Sequence, residues 1–197
     1  APIWRDEDSR GEPLPVLPAD GSDSACLDAA LELLALSGRS LPHAMSMLIP
    51  SAPRTIEDFG DQLSAFYDYH ACINEPWDGP AAVVFGDGDI VGATLDRNGL
   101  RPARYKITRD GMVILSSEVG VLDLPQGRVI ERGRLGPGQM LVVDLVRGEF
   151  HLDNAIKETL ATARPWAAWL ERHLQRVEPS RESLERLEQF ERLDIEI

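Results

Sequence analysis

Residues 81–95, AAVVFGDGDIVGATL, contain two short apolar runs separated by a turn. The runs Ala81–Phe85 and Ile90–Leu95 are rich in the β-branched and aromatic residues that strands favour. Between them lies Gly86-Asp87-Gly88-Asp89, a composition typical of hairpin turns. Two strands joined by so short a turn must be antiparallel, because a parallel pair needs a long crossover. This stretch therefore predicts a β-hairpin within an antiparallel sheet.

The same pattern recurs further along the chain. Ala103–Ile107 and Met112–Leu115 flank Thr108-Arg109-Asp110-Gly111, which predicts a second hairpin. Further strand-like runs follow at Val129–Glu131, Met140–Leu145 and Glu149–His151. We therefore expect residues 81–151 to be mainly antiparallel sheet.

A helical pattern precedes the predicted sheet. Leu27, Leu31 and Leu34 are spaced as on one helix face, Ser22-Asp23-Ser24 supplies cap residues, and Gly38 is a plausible stop. A second helix is predicted from Pro42 to Ile49.

A third helix is predicted over about residues 56–74, with one face that comprises Leu63, Phe66, Tyr67 and His70. Residues 153–193 return to a helical pattern, broken by Pro165 and Pro179. Helices, then an antiparallel sheet, then helices is an α+β pattern.

Composition excludes several classes of protein. The chain has 197 residues and a formal net charge of −13, from 20 Lys+Arg against 33 Asp+Glu. So negative a chain is not expected to bind nucleic acid, which requires clustered cations. No apolar run approaches the roughly 20 residues that a membrane span needs. Two cysteines cannot form a disulfide scaffold, so we expect a cytoplasmic protein with no membrane partner.

The chain divides into three parts by composition. Residues 1–20 are rich in proline and acidic residues and are expected to form an extended arm. Residues 21–175 carry the predicted helices and strands and form the domain. Residues 176–197 are expected to form an acidic helical tail or a linker.

No metal site is predicted. The four histidines form no short-spaced pair, and the chain has no Cys-x-x-Cys motif. Asp87 and Asp89 lack the distal ligands of a calcium loop, so they are interpreted as part of a hairpin turn.

Nucleotide loops and nucleophiles are also poorly supported. The glycines at 86, 88 and 92, and those at 133, 136 and 138, depart from phosphate-binding motifs and are interpreted as turns. Cys26 and Cys72 have no neighbouring histidine in sequence, and each is interpreted as a buried structural thiol.

Two segments remain as candidate binding elements. Asp23, between Ser22 and Ser24 at a predicted helix start, is either a helix cap or a carboxylate that binds a substrate ammonium group. The second segment, residues 95–105, is dense in arginine.

In that second segment, Asn98-Gly99 suits a turn with positive φ. Arg97, Arg101 and Arg104 could bind a carboxylate or phosphate, or they could pair with the acidic residues of this chain.

Six blocks of sequence, in this order, resemble the glutamine amidotransferase domain of the glutamate synthase large subunit. The blocks are Gly21-Ser-Asp-Ser-Ala25, Gly38-Arg-Ser-Leu-Pro-His43-Ala, Glu75-Pro-Trp-Asp-Gly-Pro80-Ala, Leu95-Asp-Arg-Asn-Gly-Leu-Arg-Pro102-Ala-Arg-Tyr105, Ser116-Ser-Glu-Val-Gly-Val-Leu122 and Gly133-Arg-Leu-x-Pro-Gly138. The resemblance extends over about residues 13–172. This domain is a class II amidotransferase of the N-terminal-nucleophile hydrolase type.

The resemblance implies a fold and a reaction. The fold is an αββα sandwich in which two antiparallel sheets face each other. In the reaction an amino-terminal Cys attacks the side-chain amide of glutamine, which yields glutamate and ammonia for the reductive amination of 2-oxoglutarate. Asp23 would hold the α-ammonium group of glutamine with Ser22 and Ser24 beside it, while Arg97, Asn98, Gly99, Arg101 and Arg104 would organise a loop between two core strands.

The chain departs from the family pattern at its amino terminus. It begins with Ala1 and matches the family only from just before the Ser-Asp-Ser block. We therefore expect no catalytic residue in this chain, because the nucleophilic Cys, the carboxylate-binding Arg and the oxyanion-hole Asn-Gly would lie upstream. FMN and iron–sulfur cofactors are expected only in the rest of a glutamate synthase.

The main hypothesis is a carboxy-terminal part of the glutaminase domain of glutamate synthase, inactive alone. Its partners would be glutamine and the remainder of the large subunit or a separate Cys-bearing subunit. Two alternatives stay open: a non-catalytic binding or scaffold module derived from an amidotransferase, and one half of a split enzyme.

Overall fold

The computed structural model describes residues 20–52 and 60–175. Three predicted segments lie outside the described residues: residues 1–19 of the arm, the first residues of the third helix, and the acidic tail. Within the two described ranges the chain forms five α-helices and seven strands.

Three helices precede the sheets: α1 (Asp23–Leu36), α2 (Leu41–Leu48) and α3 (Asp61–Ala71). The Ser22 hydroxyl caps α1 by accepting a hydrogen bond from the Ala25 amide (3.3 Å), and Gly38 follows the helix with φ of 93°. The predicted face of the third helix is confirmed, because all four of its residues are buried.

Seven strands form two antiparallel sheets. Sheet 1 has the order β1-β2-β6-β7 and contains β1 (Ala82–Gly86), β2 (Ile90–Leu95), β6 (Met140–Asp144) and β7 (Glu149–Leu152). Sheet 2 has the order β4-β3-β5 and contains β3 (Arg104–Thr108), β4 (Val113–Ser116) and β5 (Val129–Arg134). The chain then forms α4 (Asp153–Thr162) and α5 (Trp166–His173). The predicted α+β class and both hairpins are confirmed.

The core has two parts, one on each face of sheet 1. Between the helices and sheet 1, Met45, Phe66 and Val142 are buried in one cluster. Between the two sheets, Leu95, Tyr105 and Leu141 are buried in a second cluster. Successive residues of a strand point to opposite faces, so β6 contributes to both clusters. The layer order is helices, sheet 1, sheet 2, and the second helical layer of an αββα sandwich is not among the described residues.

One glycine allows the two sheets to pack closely. Gly133 of β5 lies opposite Tyr105 of β3, and a Cβ at Gly133 would stand 2.5 Å from the Tyr105 ring. The same ring lies 5.8 Å from that of Phe150 in sheet 1, centroid to centroid. Because Gly133 has no side chain, it leaves the space that the Tyr105 ring occupies between the sheets.

A buried ion pair joins α4 to the start of β6. Lys157 and Asp153 lie one helical turn apart, both buried, and their side chains form a salt bridge. Asp153 also accepts a hydrogen bond from the Met140 amide (2.9 Å), and Lys157 donates to the Gly138 carbonyl (3.2 Å). Because both charges are paired and hydrogen-bonded, their burial is tolerated, but loss of one partner would leave a buried charge uncompensated.

Two histidines from different helices meet in the helical layer. His43 of α2 and His70 of α3 are joined through their Nε2 atoms at 2.8 Å, and the Trp166 ring lies against both. His70 Nδ1 lies 2.6 Å from the Phe66 carbonyl oxygen, which can only accept, so the proton is on Nδ1 and His70 Nε2 accepts from His43. Protonation of both rings would place two N–H donors against each other.

The pKa values of His43 and His70 are both lowered, as expected for buried or half-buried rings that share a hydrogen bond in their neutral forms. Burial, the neighbouring His70 and the Arg39 guanidinium lower the pKa of His43 to about 4 from 6.5. Burial is also the main cause that lowers the pKa of His70. Both rings are therefore neutral in the folded protein at neutral pH.

We predict that the free energy of unfolding decreases as the pH falls from 6.5 towards 4. In this window the histidines bind protons in the unfolded chain but stay unprotonated in the folded protein. The contribution of the pair to the free energy of unfolding is therefore complete above pH 6.5 and is lost as the pH falls. Urea unfolding at several pH values measures this dependence. The variant His43→Gln/His70→Gln should show a shallower slope, whereas the exposed His173→Gln control should keep the original one. An unchanged slope in the double variant would contradict the prediction.

Candidate functional site

The Ser22-Asp23-Ser24 segment forms the amino-terminal end of α1. Ser22 is the N-cap residue, and its hydroxyl lies 3.1 Å from that of Ser24. Asp23 is the first helical residue; its side chain is exposed and forms no hydrogen bond or ion pair within the described residues. Of the two sequence interpretations of Asp23, the capping role belongs instead to Ser22, so the Asp23 carboxylate is accessible to a ligand.

A groove runs beside this helix end. It has a volume of about 710 Å³ and lies between α1 and β1, which is an edge strand of sheet 1 among the described residues. Ser24 and Asp28 contribute polar atoms, and Leu31, Met45 and Phe85 contribute the apolar wall. No residue of α1 is fully buried, although its apolar residues pack against the main cluster. The groove thus combines polar and apolar side chains and begins at Ser24, the residue that follows Asp23, whereas Asp23 itself is not among its lining residues.

Asp96, directly after β2, holds the loop that contains Asn98-Gly99. Its side chain is only 3% exposed and accepts hydrogen bonds from the amides of Ala81 (3.1 Å), Asn98 (2.9 Å) and Gly99 (3.2 Å). Its backbone carbonyl accepts from the Gly138 amide at 2.8 Å. Sequence reasoning about the arginines missed Asp96, although an Asp two residues before Asn-Gly is a known signal for such a side-chain-to-backbone turn.

Gly99 has the positive φ predicted for it, 60°. A Cβ at this position would also lie 2.8 Å from the backbone of Pro137. Two independent constraints, the backbone angle and the close approach of a second loop, therefore require glycine here.

The arginines of this loop point to different places. Arg97 forms an exposed ion pair with Asp78 (2.9 Å). Arg101 and Arg104 line another groove together with Arg134. The structure thus brings Arg101 and Arg104 near each other and separates both from Arg97; their organising role stays a prediction.

The structure also shows the surroundings of the two cysteines and of the hairpin turn that contains Asp87. Cys26 on α1 is half-buried, but the prediction of a buried thiol is wrong for Cys72, which is exposed. Cys72 follows the last residue of α3, at the solvent-facing end of the helix, and its thiol donates to the Asp68 carbonyl (3.4 Å). Asp87 accepts from the amides of Asp89 and Ile90, as expected of a hairpin turn.

Neither a metal-binding cluster nor a membrane-spanning helix occurs in the described ranges. Residues 20–52 and 60–175 contain no group of three or more His, Cys, Asp or Glu side chains that could hold a metal ion. No helix in these ranges combines the length and the apolar character that crossing a bilayer requires.

Residues 3–169 match the family of class-II glutamine amidotransferases. The chain is 48% identical over 177 residues to the glutamate synthase [NADPH] large chain of Bacillus subtilis, an alignment that covers 90% of this chain and 12% of that protein.

Two further relatives carry similar names. A ferredoxin-dependent glutamate synthase of Pyropia yezoensis is 48% identical over 170 residues, which cover 85% of this chain and 11% of that protein. A glutamate synthase [NADH] of Schizosaccharomyces pombe is 45% identical over 162 residues, which cover 82% of this chain and 8% of that protein. The chain therefore spans about a tenth of the length of the curated relatives that it matches.

We predict that Asp96→Ala lowers the free energy of unfolding by about 2–4 kcal/mol, because three backbone amides lose their buried acceptor. Arg97→Ala, the neighbouring control, should cost no more than about 1 kcal/mol, because its ion pair is exposed. Chemical denaturation of the two variants measures the difference. Equal losses would show that the Asp96 carboxylate does not hold the loop.

Proposed function

The chain belongs to the class-II glutamine amidotransferases, and on that premise we propose that it is part of the glutaminase domain of a glutamate synthase. In this proposal the complete domain hydrolyses glutamine to glutamate and ammonia. The ammonia then serves the reductive amination of 2-oxoglutarate elsewhere in the larger protein. The family match and the names of the relatives support this assignment.

The observation that carries the proposal is the accessible carboxylate of Asp23. Ser22 already satisfies the helix end, so the Asp23 side chain is available for a ligand. We propose that it binds the α-ammonium group of glutamine in a charge-assisted hydrogen bond. The hydroxyls of Ser22 and Ser24, the neighbours of Asp23 in sequence, lie 3.1 Å from each other, and in this proposal they add polar contacts to the ligand.

The nucleophile belongs, in this proposal, to a part of the larger protein outside the 197 residues. In the family an amino-terminal Cys attacks the amide, and neither Cys26 nor Cys72 occupies such a position. We therefore propose that the chain binds substrate in the assembled enzyme but does not hydrolyse it alone. With two cysteines it also cannot supply the four thiolates that an iron–sulfur cluster usually requires, so no step is assigned to such a cofactor here.

The first test uses the complete glutamate synthase that we propose to contain this chain. Asp23→Asn should raise the KM for glutamine by roughly 10- to 100-fold, as expected for the loss of one hydrogen bond to a charged group. Glutamate formation from added ammonia should stay unchanged, because ammonia bypasses the glutamine site. Glu32→Gln, an exposed substitution on the same helix, is the matched control. An unaltered KM in Asp23→Asn would overturn the proposed role and would favour a scaffold module.

The second test concerns the chain alone. The purified 197-residue protein, incubated with glutamine, should release no ammonia above the uncatalysed background. Ammonia release that Asp23→Asn abolishes would contradict the proposal that the nucleophile lies elsewhere. Activity that appears only after addition of a Cys-initiated polypeptide would favour the split-enzyme alternative.

A further inference from the structure

Two histidines that have no part in the proposed binding of glutamine form a close pair in the helical layer. His43 of α2 and His70 of α3 have their Nε2 atoms 2.8 Å apart, and their ring planes lie at 85° to each other. His70 is only 3% exposed, whereas His43 is partly exposed. The pair therefore lies at the edge of the core, with His43 on the solvent side.

The far nitrogen of His70 is held in the way that is typical of histidines that bind metal ions. Its Nδ1–H donates to the Phe66 carbonyl oxygen (2.6 Å), so the lone pair of His70 Nε2 is directed at His43. In metal sites, a hydrogen bond from the far nitrogen to a backbone carbonyl fixes the tautomer and the orientation of the ring. His70 is thus already arranged as a ligand.

His43 needs only a change of tautomer to become the second ligand. Its Nδ1 forms no hydrogen bond with residues 20–52 or 60–175, and its side chain is partly exposed, so water can accept a proton from Nδ1. Transfer of the His43 proton from Nε2 to Nδ1 leaves two Nε2 lone pairs that face each other. The ring stays neutral, so this change neither takes up nor releases a net proton.

Protons compete weakly for these nitrogens at neutral pH. Burial is the main cause that lowers the pKa of both rings, that of His43 to about 4. Metal ions bind the neutral form of imidazole. Both histidines are therefore in the form that binds a metal ion.

The surroundings of the pair favour a monovalent over a divalent ion. In residues 20–52 and 60–175 no third His, Cys, Asp or Glu side chain completes a metal-binding group with the pair. Zinc in proteins takes three or four protein ligands, and only two are present here. The positive charge of Arg39, which contributes to the lowered pKa of both rings, opposes a divalent ion more strongly than a monovalent one.

Copper(I) matches two neutral nitrogens that face each other, because this closed-shell ion is stable with two ligands in line. Imidazole is among the usual ligands of copper. Metal–nitrogen bonds are about 2 Å long, so a linear unit needs about 4 Å between the nitrogens, and the two rings must separate by about 1 Å. His43, which is partly exposed, can rotate outward to allow this separation.

Aromatic rings enclose the pair. The Trp166 ring lies 5.9 Å from that of His43 and 4.9 Å from that of His70, and the Phe66 ring lies 5.3 and 4.3 Å from them, centroid to centroid. An ion between the imidazoles would lie near these rings, which exclude water and attract cations through their π systems. A strongly hydrated divalent ion would lose its water there without gaining ligands in return.

We propose that His43 and His70 form a two-coordinate site for a closed-shell monovalent metal ion, copper(I), with their Nε2 atoms as the ligands. The bound ion replaces the hydrogen bond between the rings and joins α2 to α3. The site is separate from Asp23 and does not depend on the proposed hydrolysis of glutamine.

Anaerobic titration of the full 197-residue chain with copper(I), buffered by a chelator, tests the site. Cys26→Ser/Cys72→Ser serves as the parent, because thiolates are the preferred ligands of copper(I). We expect one ion per chain, and NMR of the imidazole nitrogens should show shifts of Nε2 in His43 and His70 but not in His151 or His173. Since this measurement needs no substitution in the pair, unshifted Nε2 resonances of His43 and His70 would overturn the proposal.

Substitution of the ligands gives the second test. His43→Gln and His70→Gln should each weaken copper(I) binding by more than about 100-fold, because loss of a ligand costs more than the 10- to 100-fold that loss of an outer hydrogen bond costs. The matched control His151→Gln/His173→Gln should keep the affinity of the parent. Copper(I) binding that survives in His43→Gln/His70→Gln would overturn the proposal, as would binding of Zn²⁺ by the parent with equal affinity.

Discussion

The structure depends on the two-sided burial of β2 and β6, the central strands of sheet 1. Met140 and Val142 pack against the helices, whereas Leu141, between them, packs against sheet 2. β2 contributes Ala93 and Leu95 to the same inter-sheet cluster. Because alternate residues of one strand serve two cores, a shift in register by one residue would disrupt both at once. This constraint fixes where the helices and sheet 2 can lie.

The loops at one end of the sheets meet at Gly138. Its amide donates to the Asp96 carbonyl, and its carbonyl accepts from Ser51 (3.3 Å) and Lys157 (3.2 Å). Four segments distant in sequence are thereby joined around one backbone position. The Gly99 loop, which packs on Pro137, is part of the same junction. Hydrogen bonds to backbone, rather than ion pairs between side chains, thus hold the loop that follows β2.

The charged groups of the chain fall into two kinds. Some are satisfied within the described residues, as in the buried pair of Asp153 and Lys157. Others, such as the carboxylate of Asp23, have no partner in that part of the chain. The Asp23 carboxylate is exposed at the start of α1. It is the group on which we base the proposed binding of glutamine.

The sequence by itself determined the local structure and the family. The Gly/Asp turns fixed both hairpins, Ser22 and Gly38 bounded α1, and six short blocks carried the resemblance, because caps, turns and strand periodicity act over a few residues. Only the tertiary structure decided that β6 inserts beside β2 while β5 pairs with β3. It also decided that His43 meets His70, and that Asp96 rather than an arginine holds the Asn98-Gly99 turn. These outcomes depend on which apolar faces are buried together, and contacts between residues far apart in the chain decide that.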